Sequence, residues 1–240
     1  METPPGTPAA AEAWPAATPP ALTQSLPEQI AAQLSARIVG GLYAPGQRIL
    51  EQTIAAEFAV SRGPVREALR LLEKDGLLII LARRGAQVTK PSIAEVREIF
   101  DIRAVLNGVR DRGIAEDPER ARLLPALEAE VALLEKCARD AKRGKDYVDA
   151  VFRINRMLTA ASRNHRLQSV LDSLALQTLR YSRLGLATPE RRRQSVEHWQ
   201  KLVKAIRSGN GEAAQKIAEQ RVLDSRDAAI RALEKARTDS

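Results

Sequence analysis

The chain is poor in the residues that build most reactive centres. It has one cysteine and two histidines in 240 residues. The single thiol, Cys137, excludes an internal disulfide and fits a reducing compartment, so a cytoplasmic location is expected. It reads as a small buried residue on a helix, because no activating partner accompanies it. Neither histidine has a recognisable nucleophile or acid beside it, and no phosphate-cradling glycine loop occurs, so the chain is not expected to be an enzyme or to need a cofactor. No apolar run approaches the roughly 20 residues that span a bilayer, and the N-terminus lacks the basic-then-apolar pattern of a signal peptide. No repeat of fixed period is found. Strand signals are confined to one short stretch, leaving a mainly α chain.

What is present is basic charge. The formal net charge is +8 and the isoelectric point about 10.0, which favours a polyanionic partner. Membrane-surface binding competes for the same charge, but the cations are spread over many helices and no basic amphipathic segment stands out. With 44% hydrophobic and 28% charged residues the chain can form two modest domains. Residues 1–23, rich in Ala, Pro and Thr, read as a disordered tail. Residues 24–90 then read as one domain and residues 91–240 as a second, all-helical one.

The stretch from Glu51 to Gln87 organises the first domain. Ile54, Ala55 and Phe58 share one helical face, and Val65, Ala68, Leu69 and Leu72 share a face of the next helix, with Ala59-Val60-Ser61 as the turn between. Ser61 is an N-cap type whose hydroxyl is expected to accept from the first free amides, and Pro64 lies in the first turn, so a helix starts near Arg62. Arg62, Arg66 and Arg70 succeed one another by a turn on its polar face. Cations beside the positive end of a helix dipole suit phosphates and guanine edges. After Gly76, Leu77 to Leu81 read as a strand, Arg83-Arg84-Gly85 as a hairpin tip and Ala86 to Thr89 as the returning strand. The preceding segment, Leu26 to Val39, has Ile30, Leu34 and Ile38 at helical spacing and ends at Gly40-Gly41.

These residues carry a resemblance. Gly41-Leu42-Tyr43-Ala44-Pro45-Gly46, the run from Val60 to Glu73, Asp75-Gly76-Leu77 and Arg84 to Val88 occur in the order found in the winged-helix domain of GntR transcription regulators. The chain resembles that family over about sixty residues. The resemblance implies a winged helix-turn-helix domain with a small β-wing, binding an inverted-repeat operator in double-stranded DNA as a homodimer. Ser61, Arg62, Gly63, Pro64, Arg66 and Arg70 would meet DNA along the recognition helix, Gln52 and Thr53 would approach the backbone, and Arg83, Arg84 and Gly85 would enter or flank the minor groove. A non-specific nucleic-acid binder is the alternative that charge alone permits.

From Ser92-x-x-Glu95, a capping box, to the C-terminus the pattern is helical. Asp117-Pro118-Glu119 is expected to cap a helix that Gly144 stops; further helices cover about Asp146 to Ser162, about His165 to Leu184, Thr188-Pro189 to Ser208-Gly209, and a last one from near Gly211. Six helices with short loops imply an antiparallel bundle. Such a domain behind a GntR-type winged helix is similar to the effector-binding and dimerisation (FCD-type) domain of the FadR subfamily. The strings Glu98 to Arg103, Ala160 to Leu167 and Ser195 to Asn210 support this and fix a register.

Many members of that subfamily hold a divalent metal with an Asp and a His one turn apart and two later histidines. In this register the four positions fall on Val151, Asn155, Trp199 and Arg221, none of them a ligand of that kind. The resemblance therefore implies a metal-free site. His198, Asp149 and His165 lie near in sequence but read as surface or capping residues. Arg221 places a fixed positive charge where the metal's charge would be, and a guanidinium can clamp a carboxylate directly. Arg103 stands where the subfamily's cavity-facing arginine stands. The expectation is a small anionic effector clamped by Arg103 and Arg221, oriented by Asn155 and walled by Trp199, that alters operator affinity, with repression released by ligand as the favoured logic. A core-filling Trp199 with an acid-paired Arg221, and an acyl-CoA-type effector, are the alternatives.

Overall fold

The structure is a computed structural model, and it describes residues 24–238 apart from residue 83 and the side chains of residues 180 and 237. The expected N-terminal tail lies outside the described residues. The winged half comprises α1 (Leu26–Gly40), β1 (Arg48–Ile49), α2 (Glu51–Glu57), α3 (Arg62–Lys74), β2 (Leu78–Leu81) and β3 (Gly85–Val88). The helical half comprises α4 (Ile93–Glu116), α5 (Leu124–Arg139), α6 (Gly144–Ala161), α7 (His165–Gly185), α8 (Pro189–Ser208) and α9 (Gly211–Thr238). The fold is thus a winged helix-turn-helix followed by a bundle of six helices.

The apolar stripes read from the sequence become the core of the winged half. Ile30 and Leu34 of α1, Ile54 of α2, and Val65 and Leu69 of α3 are buried together with Leu78 and Val88 of the wing. The sheet has the order β1-β3-β2 with both pairings antiparallel, Ile80 and Ile49 each lying opposite Ala86. The edge strand β1 was not apparent from periodicity, since two residues carry none. Gly85 opens β3 at φ +81°, and a Cβ there would stand 2.5 Å from the Ile49 carbonyl oxygen, so only glycine lets β1 close on the wing.

The capping box at α4 forms as expected: the Ser92 amide donates to Glu95 Oε2 at 2.7 Å and the Glu95 amide to Ser92 Oγ at 3.2 Å. Two boundaries differ from expectation. Gly144 opens α6 in ordinary right-handed geometry instead of stopping α5, which ends at Arg139; a 3-10 turn, Ala141–Arg143, intervenes, with Asp140 accepting from the Lys142 amide. Asp117 accepts from the Glu119 amide but leads into a 3-10 turn, Arg120–Arg122; α5 begins later with Pro125 in its first turn and no side-chain cap. Leu127, Leu134, Tyr147, Ile154, Trp199 and Ile206 form the main bundle core, and Cys137 is buried among them.

α7 belongs to both halves. Leu176 packs against the winged core, Arg183 donates to the Val39 carbonyl of α1 at 3.2 Å, and Gln177 lies against Gly76, where a Cβ would be 2.7 Å from its side chain. Between α1, α3 and α7 runs an open groove of about 640 Å³ lined by Ala32, Ser35, Leu71 and Leu179 among others.

A cationic helix end and a buried arginine cavity

Two sites collect the residues picked out in the sequence. The first is the start of α3. Ser61 holds the extended N-cap backbone, φ −71° and ψ 165°, yet its hydroxyl makes no hydrogen bond to the first turn, contrary to expectation. An N-cap hydroxyl takes the amide of the second or third helical residue, and Pro64 in the third position removes one of these two partners. The hydroxyl and the free first-turn amides remain available to an outside acceptor.

Arg62, Arg66 and Arg70 are exposed along α3. Arg66 is forked onto Glu51, Nη2 to Oε2 at 3.1 Å and Nε to Oε1 at 3.3 Å, while Arg70 pairs with Glu67 at 2.8 Å. That leaves Arg62 as the cation of the ridge not held by a carboxylate among the described residues. The Arg66–Glu51 fork brings α3 against the start of α2, where Gln52 and Thr53 are exposed, as is Gly63 at the α3 start. Arg84 is exposed in the wing turn, its amide donating to the Leu81 carbonyl at 2.9 Å, and Gly85 follows it; Arg83 lies outside the described residues.

The second site is a cavity inside the bundle. Arg103 from α4, Asn155 from α6, Trp199 from α8 and Arg221 from α9 all line it, so one cavity gathers the four side chains expected around the effector. Val151, Ser182, Ser195 and Ser225 also face it, and the enclosed space is small, about 30 Å³. Arg103 donates from Nη1 to Thr178 Oγ1 at 2.9 Å and to Ser182 Oγ at 3.2 Å, both on α7. Arg221 lies over the Trp199 ring, 3.7 Å from its centroid, and its Nη2 is 3.7 Å from Asp111 Oδ2. That gap is too long for a hydrogen bond. Asp111 instead accepts from Arg110 Nε at 2.6 Å, and Arg110 donates from Nη1 to Thr159 Oγ1 at 3.2 Å. Asn155 donates its amide to the Val151 carbonyl at 2.9 Å, leaving Oδ1 without a partner. It therefore presents an acceptor to the cavity.

Burial weakens the hold of these guanidiniums on their protons. Arg103 is pushed down to about 10 by desolvation, with Arg110 adding repulsion. Arg221 is pushed down to about 9, again by desolvation first, against the attraction of Asp111. Both stay protonated at neutral pH. Nε and Nη2 of Arg221 and Nε1 of Trp199 find no hydrogen-bond partner.

Arg191 was missed in the sequence. It lines the same cavity from the first turn of α8, is buried, and has Nε and Nη1 unpartnered. Within Arg191-Arg192-Arg193 it looked like part of a solvated run, but Arg191, Ser195 and Trp199 succeed each other at intervals of four, and that spacing was the available signal. His198, outside the lining, sits 3.6 Å from Asp224, and burial lowers its affinity for a proton.

This donor set does not fit a divalent metal. Guanidiniums, hydroxyls, an indole and one amide line the cavity, with no imidazole or carboxylate among its lining residues. Among the described residues no group of three or more His, Cys, Asp or Glu could hold such an ion, and no helix is long and apolar enough to cross a membrane.

Comparison with known proteins follows the same division. The family described as "Bacterial regulatory proteins, gntR family" matches residues 26–88, and the FCD domain matches residues 98–224. The uncharacterized HTH-type transcriptional regulator YdhC of Bacillus subtilis (strain 168) is 30% identical over 183 residues, 75% of this chain and 80% of that protein. The gluconate operon transcriptional repressor of the same organism is 48% identical over 73 residues, 30% of each chain. Among solved structures, E. coli McbR/YncC superposes with a TM-score of 0.69 at 19% identity, covering 84% of this chain and 95% of that one.

Proposed function

Because this chain belongs to the GntR family of transcriptional regulators, with an FCD domain as its helical half, we propose that it is a sequence-specific repressor whose grip on an operator is set by a small anion bound in the arginine cavity. It is a regulator and not an enzyme, and DNA binding is the property of its family. The observation that carries the effector reading is the ring of buried guanidinium groups with unpartnered N–H atoms around an enclosed space. Buried charge without a counter-ion is unfavourable, and an anion supplies one.

On this reading Arg103 and Arg221 clamp the anion, without metal. Trp199 holds Arg221 in place by stacking beneath it. Asn155 accepts a hydrogen bond from a hydroxyl of the effector through its free Oδ1. A cavity of about 30 Å³ admits several heavy atoms only if its walls shift. The readiest shift is at Arg103, whose bonds to Thr178 and Ser182 on α7 compete with bonds to the ligand. α7 touches the winged half, so its displacement alters how that half is presented to DNA, and the ligand acts by favouring one of two placements.

The protein acts as a homodimer in this proposal, placing two α3 helices on two half-sites. Ile102, Val105 and Val109, exposed on a single stripe of α4, are the apolar surface that a second copy would cover.

At the DNA, Arg62 reads a base edge from the start of α3, Ser61, Gly63, Pro64, Arg66 and Arg70 contact the recognition site along the same helix, Gln52 and Thr53 meet the backbone, and Arg83, Arg84 and Gly85 form the wing contact. The test is to select bound sequences from a random duplex pool and compare the affinity of the winner with that of random DNA. A clear preference is expected, and Arg62→Ala should cost about 1–3 kcal/mol of it. Equal affinities for both duplexes would refute the regulator mechanism and leave a charge-driven binder.

A further inference from the structure

The cations around the cavity outnumber what one negative group can balance. Arg103, Arg191 and Arg221 line it, and Arg110 is buried behind them on α4. Among the described residues Asp111 is the one buried acid, and it is committed to Arg110 at 2.6 Å. Asp224, partly exposed on α9, is the other carboxylate that acts on Arg191. Around this cavity four guanidiniums face two carboxylates, which leaves two positive charges without a counter-ion; Arg192, also buried, lies outside the lining.

The unused donors point the same way. Nε and Nη1 of Arg191, Nε and Nη2 of Arg221 and Nε1 of Trp199 are buried without a partner. A single carboxylate offers about four acceptor sites, fewer than these five nitrogens and the Arg103 fork together require. A second anionic group on the ligand, or the three oxygens of a phosphoryl group, supplies the remainder.

Resting on the effector reading above, we propose that the ligand is a compact dianion, a dicarboxylate or a phosphate monoester, and that Arg191 takes its second negative charge. Arg103 and Arg221 clamp the first anionic group, and the unpartnered Nε and Nη1 of Arg191 supply the donors for the second. Arg191 is the residue that makes the site select for two charges.

The experiment is titration calorimetry on the full chain at about pH 8, above the second ionisation of a phosphate monoester, with ionic strength fixed. Two matched pairs serve as probes: malate against lactate, and methyl phosphate against dimethyl phosphate. At least one dianion should bind about tenfold or more tightly than its monoanionic partner, a difference of about 1.4 kcal/mol, and the pair that shows this names the source of the charge. In Arg191→Gln that dianion should lose most of its advantage over its monoanion, and Arg191→Lys, which keeps the charge, should restore part of the preference. A cooperative melt in both variants excludes misfolding as the cause. Monoanions that bind as tightly as dianions, in a way that Arg221→Gln abolishes, would overturn the dianion assignment and leave the effector site standing. No binding by any probe would overturn both.

Discussion

Replacing Arg221 by methionine should stabilise the free protein, which is the reverse of the usual result of altering a fully buried residue. Burial pushes the guanidinium down to about 9, well below its ordinary value in an unfolded chain. At about 1.4 kcal/mol per decade of proton affinity, three decades correspond to on the order of 4 kcal/mol against the charged form. Part of this is offset in the fold. Stacking on Trp199 contributes on the order of 1–2 kcal/mol when desolvated, and Asp111 loses a neighbour at 3.7 Å but keeps Arg110 at 2.6 Å. A net gain of about 1–3 kcal/mol follows, as when other buried ions are exchanged for apolar residues of similar volume. The assay is urea unfolding of wild type and Arg221→Met between neutral pH and about pH 10. The folded wild type releases this proton near pH 9 and the unfolded chain only at much higher pH. The destabilisation is therefore complete below 9 and is relieved as pH rises above it, so the gap between the two proteins should narrow there. An Arg221→Met protein that is less stable by 1 kcal/mol or more, with a gap independent of pH, would refute the argument and make Arg221 a structural partner of Asp111.

Two further outcomes follow from the winged half. Gly85→Ala forces a side chain into the left-handed region and to within 2.5 Å of the Ile49 carbonyl; unfolding experiments should show a loss of about 2 kcal/mol, and unchanged stability would mean that β1 does not pack on the wing. Glu51→Gln releases Arg66 from its fork; affinity for duplex DNA should rise a few-fold and its salt dependence steepen by about one counterion, whereas unchanged affinity and slope would place Arg66 away from the phosphates.

Local chemistry made much of this fold legible. Ser92 and Glu95 cap α4 through bonds between near neighbours, and the stripes of α1 and α3 follow from helical spacing alone. Features that depend on distant partners were not legible. β1 exists because β3 lies beside it, and Gly144 enters a helix because a 3-10 turn intervenes after α5. Ser61 is instructive at shorter range: the residue type was right for a cap and its backbone holds the cap geometry, but the proline three positions on leaves it one amide partner instead of two and the bond is not made. In the cavity, Arg103, Asn155, Trp199 and Arg221 were reachable through a register borrowed from similar sequences. Arg191 was not, because three successive arginines look alike until the fold turns one of them inward, and the Arg110–Asp111 pair gave no sign in sequence that both members are buried.

α7 touches Arg103 through Thr178 and Ser182, and the winged half through Leu176, Gln177 and Arg183. If an anion that loosens the first contact weakens the hold on DNA, thermodynamic reciprocity requires DNA to weaken the hold on the anion by the same factor. Operator occupancy then becomes a determinant of how the cell's pool of the metabolite is read: molecules already on their sites are less sensitive to it than those free in solution. On that proposal the metabolite concentration that half-saturates the DNA-bound protein exceeds the one that half-saturates the free protein by the coupling factor.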